Sequence, residues 1–290
     1  MGAQSRSVRR WRHLASAAWS APSDPQFYGD LEVEATALLR FQERVRESSG
    51  TPVTVTDLVG RAVAHALGAV PELDRPSRVG PDERSTDVFF IVAHEGALSG
   101  FKLRDVGHKS VVEVARELTH EVGRVRHGEG ELDRATKTLT ALPGPLLRVA
   151  LRVGSWLATD VGVDIPALGV TRRPFGDAMV SSVGMWGVTH AYSPLAAYYR
   201  VPILVLAGEV VRKPVAVDDE VVVRPVLGLT ATFDHRYVDG WHAARFARAA
   251  GDYLADPARF EPPVEQSVEQ SVEPDTDRTE RSSPVGRGSS

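Results

Sequence analysis

The 290-residue chain reads as an α/β protein in which a central sheet is flanked by helices. Three observations carry this reading. Val88-Phe89-Phe90-Ile91-Val92-Ala93 is a continuous apolar run of strand length, which marks a central strand. Two segments, Thr54 to Leu73 and Gly240 to Leu254, repeat apolar residues at the helical period. From Val201 to Phe233 the chain is rich in strand formers, and this stretch runs directly into the second of those helices.

Taken in order, Leu14, Ala17 and Ala18 have helical spacing until Pro22 and Pro25 break it. Asp30 to Ala35 predicts a strand, and Leu38 and Leu39 lead into a charged amphipathic helix that ends near Gly50. Leu58, Val59, Ala62, Val63, Ala66 and Leu67 predict a buried helix, with His65 inside it as a structural residue. Leu98 to Leu103 pairs with the central strand across Glu95-Gly96, and Val111 to Val125 predicts a helix with mixed charges outside. His108, His120 and His127 lack metal-ligand spacing, and no metal is expected.

If Pro145 opens a helix, Leu146, Ala150, Val153 and Leu157 share one side, and Arg148, Arg152 and Ser155 share the other. The apolar side is expected to pack on its own domain or on a neighbouring subunit, with membrane-surface contact or a lid as the alternatives. Ile203 to Val211 and Val221 to Phe233 predict strands around a turn at Asp218-Asp219, and Pro225 predicts an edge or a bulge. The helix from Gly240 should stop near Asp256-Pro257. From Glu261 the sequence turns polar and repeats Val-Glu-Gln-Ser, so residues 261–290 are expected to form a disordered tail.

Composition narrows the chemistry. The chain has no cysteine, which excludes disulfides, thiolate metal sites and a cysteine nucleophile. All of the net charge of −4 comes from the tail; before Glu261, 31 acidic and 31 basic residues balance, and nothing argues for nucleic acid. Arg6, Arg9, Arg10 and Arg12 form a short basic arm. The first twenty residues lack the continuous apolar region of a secretory signal. The longest mainly apolar stretch, Leu146 to Val163, is interrupted by Arg148, Arg152 and Asp160. A cytoplasmic protein without membrane contact is the expectation.

Within Thr232-Phe233-Asp234-His235-Arg236-Tyr237-Val238-Asp239-Gly240, a histidine sits where a strand gives way to a helix, and an aspartate follows four residues later. An imidazole held at the edge of a core, half desolvated, can take and return a proton near neutral pH, since its ordinary pKa is ~6.5. On the local pattern alone the favoured arrangement is one in which Asp239 caps the helix and His235 satisfies nearby backbone groups.

These nine residues resemble the signature of the catalytic domain of the 2-oxo acid dehydrogenase acyltransferases, the dihydrolipoamide acyltransferases, with chloramphenicol acetyltransferases as more distant relatives. The match is Asp234-His235-Arg236, two variable residues, then Asp239-Gly240. Val180-Ser181-Ser182-Val183-Gly184-Met185-Trp186-Gly187 resembles the family's serine strand and its turn. Arg12-His13-Leu14-Ala15, the helix ending in Pro71-Glu72-Leu73, and Leu103-Arg104-Asp105 are weaker points of similarity. The similarity covers residues 8 to 260 apart from Leu142 to Gly176.

The resemblance implies a chloramphenicol acetyltransferase-like fold with a mixed central sheet. It implies a catalytic domain over residues 1–260 that carries an inserted amphipathic segment at about 142–176. It implies acyl transfer from a thioester, with acyl-CoA as co-substrate and no permanently bound cofactor. His235 would be the general base, Ser181 the donor to the oxyanion and Asp239 an orienting group, with Arg12 as its partner, while Ser182 packs. It also implies a homotrimer in which histidine and serine come from different chains. Since neither a lipoyl domain nor a subunit-binding domain precedes the match, the expected reaction is acetyl transfer to a hydroxyl of a small molecule, with specialised metabolism as the expected setting. The alternatives are a dihydrolipoamide acyltransferase core component and a non-catalytic trimeric scaffold.

Overall fold

The computed structural model describes residues 25–73, 86–94, 97–127, 143–163, 173–196 and 200–263. In chain order the elements are β1 (Gln26–Glu34), α1 (Thr36–Ser49), α2 (Val55–Ala69), β2 (Val88–His94), β3 (Ala97–Leu103), α3 (Val111–Arg126), α4 (Gly144–Trp156), β4 (Ala178–Ser182), β5 (Ile203–Val217), β6 (Glu220–Asp234) and α5 (Gly240–Ala255). The helical spacing noted at Leu14, Ala17 and Ala18 lies outside the described residues, as do residues 264–290.

The six strands form one mixed sheet in the order β1-β6-β5-β4-β2-β3. Only β4 pairs in parallel, with β2 on one side and β5 on the other. All remaining neighbours are antiparallel. The alternation of the strands splits the core in two. Val88, Phe90, Ala178, Val180, Ile203 and Val205 share a core with α1, α2, α3 and α5. Phe89, Met179, Leu204 and Leu206 pack in a smaller cluster with Phe175, Leu195 and Val201. The central strands are therefore apolar on both faces, which is why Val88 to Ala93 reads as an uninterrupted apolar run.

Helices α2, α3 and α5 each start at a capping box. Thr54 and Asp57 form a capping box on α2: the Thr54 N–H donates to Asp57 Oδ2 at 2.6 Å, and Asp57 N–H donates to Thr54 Oγ1 at 3.3 Å. Ser110 and Glu113 repeat the device on α3. Gly50 closes α1 with a φ of 64°, a conformation that costs a glycine least.

Two expectations change, those for the length of β5 and for the apolar side of α4. β5 continues past Val211 to Val217, because Asp218 and Asp219 both take positive φ (49° and 65°) and close a tight hairpin. Pro225 lies one residue beyond the part of β6 that β1 covers, and its carbonyl accepts from Ala35 N–H at 2.8 Å. In α4, Leu146 and Val153 are exposed and Ser155 is buried, the reverse of inward apolar packing on this chain. Small residues set that contact: Ser155 and Ala158 allow close approach, and Arg173 N–H donates to Ala158 O at 3.1 Å.

Glu261 also departs from expectation, since it is buried rather than part of a polar tail. It accepts from Arg61 Nε at 2.8 Å, from the Tyr253 hydroxyl at 2.7 Å and from Val111 N–H at 2.7 Å. Arg61 Nη1 donates in turn to Val106 O at 2.6 Å. One ion pair with satisfied partners thus ties α2, α3 and α5 together.

Glu261→Ala should leave the Arg61 guanidinium buried without its counter-charge and cost about 3–5 kcal/mol, read as a lowered urea midpoint. A second outcome concerns pH. Burial pushes the Asp57 carboxyl up to about 6, against the hydrogen bonds from Thr54. An unfolded aspartate titrates near ~3.9, so the native state holds this proton more tightly and stability falls as pH rises from about 4 to 6. Asp57→Asn, which keeps an acceptor for the cap, should remove a fall on the order of 2 kcal/mol from the pH profile of urea unfolding.

Candidate functional site

The strand-to-helix junction is built by Asp234. Its backbone N–H donates to Pro202 O at 2.9 Å, and its carbonyl accepts from Tyr237 and Val238 N–H, each at 3.0 Å. Its buried carboxylate accepts from Arg236 N–H at 3.0 Å and from the Arg236 guanidinium at 2.5 to 3.1 Å. An aspartate bonding the backbone two residues on closes a turn by itself, and the guanidinium compensates the charge that burial would otherwise penalise.

This turn fixes His235. Its N–H donates to Pro25 O at 2.7 Å. Its ring lies 4.9 Å from that of Phe27, which stacks on Phe233 at 5.0 Å. The residue is otherwise exposed on this chain, so one ring contact replaces the half-desolvated setting expected from the sequence. Beneath Phe27 and Phe233, on the helix side, lies a mainly apolar cavity of about 230 Å³ whose walls include Val59, Ala62, Leu229 and Ala247.

Asp239 serves α5 as N-cap. Its carboxylate accepts from Trp241 N–H at 2.9 Å and His242 N–H at 3.1 Å, and the His242 ring lies 2.9 Å away. The His242 N–H, followed by the nearby His242 ring, holds the carboxyl below its ordinary value. Arg12, its expected partner, lies outside the described residues. The capping role favoured by the local pattern is thus present in this chain.

Ser181 lies elsewhere. On β4 its neighbours Val180 and Ser182 alternate with it, so Ser181 shares the sheet face of Met179 and Leu206, away from the helix layer. The pairing runs Ser181 to Leu206 to Thr230, and His235 follows five residues later on β6. With a rise of ~3.3 Å per residue and ~4.8 Å per strand, this places the two residues roughly 16 Å apart along the strands and about 10 Å across them. One chain does not bring serine and histidine into a common site.

After Ser182 the chain crosses the sheet face. Thr232 Oγ1 donates to Ser193 O at 2.7 Å, and Leu195 and Gln26 exchange hydrogen bonds at 2.9 and 3.1 Å. The crossing requires glycine beneath it: a Cβ on Gly228 would meet Thr189 O at 2.7 Å, and Gly208 is tighter still. Met185, Trp186, Tyr192 and Tyr28 remain exposed along this path. Among the described residues no cluster of three or more metal-ligating side chains occurs.

Phe27 and Pro25 are contributors that sequence reasoning missed, because the β1–β6 register that opposes Phe27 to Phe233 is non-local. Asp234 had a local signal, since Asp-x-Arg at a strand end is the pattern of such a turn.

A mixed sheet covered by helices on one face, with a junction histidine and a serine on its parallel strand, defines the acyltransferase-core class of α/β domains. The chain belongs to the 2-oxoacid dehydrogenases acyltransferase (catalytic domain) family, whose model matches residues 8–142 and 175–261. It is 26% identical over 259 residues to the dihydrolipoyllysine-residue acetyltransferase component of the acetoin cleaving system of Bacillus subtilis, covering 87% of this chain and 54% of that protein. It is 42% identical over 140 residues to the lipoamide acyltransferase component of the branched-chain alpha-keto acid dehydrogenase complex of Pseudomonas putida, covering 46% and 32%. The chain therefore spans about half or less of the length of these curated relatives. In structure it is similar to a probable dihydrolipoamide acetyltransferase from Listeria monocytogenes, with a TM-score of 0.59 at 20% identity over 88% of this chain and 95% of that one. The dihydrolipoamide acetyltransferase of Azotobacter vinelandii gives 0.59 at 19% identity over 87% and 89%.

Asp239→Ala should lower the melting temperature through the lost cap, and Asp239→Asn, which keeps an acceptor, should lower it less. Thermal unfolding of both variants checks this. If Asp239 acts through its cap alone, Asp239→Asn should also keep its turnover.

Proposed function

We propose that this domain transfers an acyl group between coenzyme A and a dihydrolipoyl thiol, at a site completed by two copies of the chain. Family membership and the names of its relatives support the dihydrolipoyl acceptor, which takes the place of the small hydroxylated molecule expected from the sequence. The separation of Ser181 from His235 within one chain is the observation that carries the two-copy site. Another structure of similar fold, at a TM-score of 0.58, is the cubic core of a pyruvate dehydrogenase complex. A homotrimer, or a multiple of one, is the arrangement that suits such a site.

In the proposed reaction His235 accepts the proton of the attacking thiol as its sulfur adds to the thioester carbonyl. The negative charge on the tetrahedral oxygen is met by the Ser181 hydroxyl from a neighbouring chain. Collapse expels the second thiolate, which takes the proton back from His235. Neither step needs an acyl-enzyme. The Azotobacter relative was studied for the roles of a serine, a histidine and an asparagine in catalysis, the asparagine four residues after the histidine. Ser181, His235 and Asp239 reproduce that order and that last spacing, with aspartate in place of asparagine.

Incubation with acetyl-CoA and dihydrolipoamide should release free coenzyme A, and absence of transfer across a panel of acyl-CoAs would favour a non-catalytic scaffold. His235→Ala should lower turnover about 10²- to 10⁴-fold, and Ser181→Ala about 10²- to 10³-fold. Mixing the two variants under dissociating conditions and reassembling them should restore part of the activity, because some interfaces then pair an intact histidine with an intact serine. Failure to regain activity from a demonstrably mixed assembly would sink the two-copy site.

A further inference from the structure

Helix α4 belongs to the stretch between the two parts of the family match, so acyl transfer does not account for it. Its inner side is small and buried at Ser155 and, in the π-turn that follows, at Ala158. Its outer side is apolar: Leu146, Val149, Val153 and Trp156 are 58%, 60%, 48% and 48% exposed. Their spacing of three, four and three residues sets them in one stripe. Val161 and Val163, beyond the helix, are also exposed. Arg152 is exposed beside the stripe, Arg148 precedes it by one turn in the sequence, and α4 contains no acidic residue. The first acid after the helix, Asp160, is paired with Arg200.

We propose that α4 is a membrane-surface helix that seats its apolar stripe in the headgroup region of an anionic bilayer. Thirteen helical residues span only about 20 Å, short of the ~30 Å hydrocarbon core, so the helix lies on the surface and does not cross. No helix among the described residues is long and apolar enough to cross a membrane. A second copy of α4 fits the stripe less well. Four side chains offer a few hundred Å², against ~800 Å² per partner in a stable interface, and paired copies would set arginines of like charge near one another. A bilayer demands no shape complementarity. It takes up leucine, valine and tryptophan at the interface while lipid phosphates meet the arginine beside them. Repetition of the helix in an oligomer would add weak contacts into useful avidity.

The test is flotation of the full chain with vesicles of phosphatidylcholine alone and of phosphatidylcholine mixed with phosphatidylglycerol. The protein should float with the anionic vesicles, stay behind with the neutral ones, and lose binding as salt is raised. Arg152→Ala should weaken binding about fivefold. The doubly substituted Val149→Asp, Val153→Asp chain should lose binding altogether at an unchanged melting temperature, since both positions are exposed. Absence of wild-type binding, equal binding to neutral vesicles, or unchanged binding by the double variant would each overturn the proposal. A double variant that sediments as a smaller species, from a wild type that ignores vesicles, would also overturn it and make a second copy the occupant.

Discussion

Among the described residues, helices α1, α2, α3 and α5 all pack on one face of the sheet, and the apolar residues that β2, β4 and β5 turn to the other face are buried by irregular chain. Phe175, Leu195 and Val201 do this for Phe89, Met179, Leu204 and Leu206. The segment after Ser182 crosses the remaining sheet, and it lies close enough only because Gly208 and Gly228 have no Cβ. The covering is incomplete, and Tyr28, Trp186, Met185 and Tyr192 stay exposed around it. An exposed apolar surface of this kind is a place for another molecule to sit, and Ser181 opens toward the same side of the sheet.

The helix layer on the opposite face is held in register by charge as well as by apolar packing. Arg61 and Glu261 are both buried, and such a pair contributes little net stability compared with apolar residues of the same volume. Its directional hydrogen bonds instead fix where the start of α3 and the end of α5 meet α2. With α5 anchored at Tyr253 near its end and capped by Asp239 at its start, the turn from Asp234 to Asp239 has both ends fixed. His235 is therefore positioned by the same packing that closes the core.

The elements themselves were legible in the sequence, since hydrophobic period is local: Leu58 to Leu67 and Gly240 to Leu254 announce their helices. The junction at His235 was legible for the same reason. What the sequence did not disclose is non-local. That β6 lies between β1 and β5, so that Phe27 supports the histidine and Ser181 lies two strands away, depends on a strand order no local pattern encodes. Two misreadings share a cause. The inward face of α4 is chosen by Ser155 and Ala158, and Glu261 is drawn into the core by Arg61, because tertiary partners override what composition suggests.

His235 on a single chain has one ring face against Phe27 and is otherwise open to water. Water reaches the ring in that setting, competes for its hydrogen bonds and screens any charge that develops beside it. Covering the junction by a second chain would both expel that water and deliver a serine to the developing oxyanion, two effects that a monomer cannot supply from a strand two places away. On this reading the local turn determines only where the imidazole stands, while the sheet's half-covered face determines when it becomes a catalyst. Assembly and activity are then one event. The outward stripe of α4 lies on a segment outside the matched family fold, so it can address a surface of its own without disturbing that event.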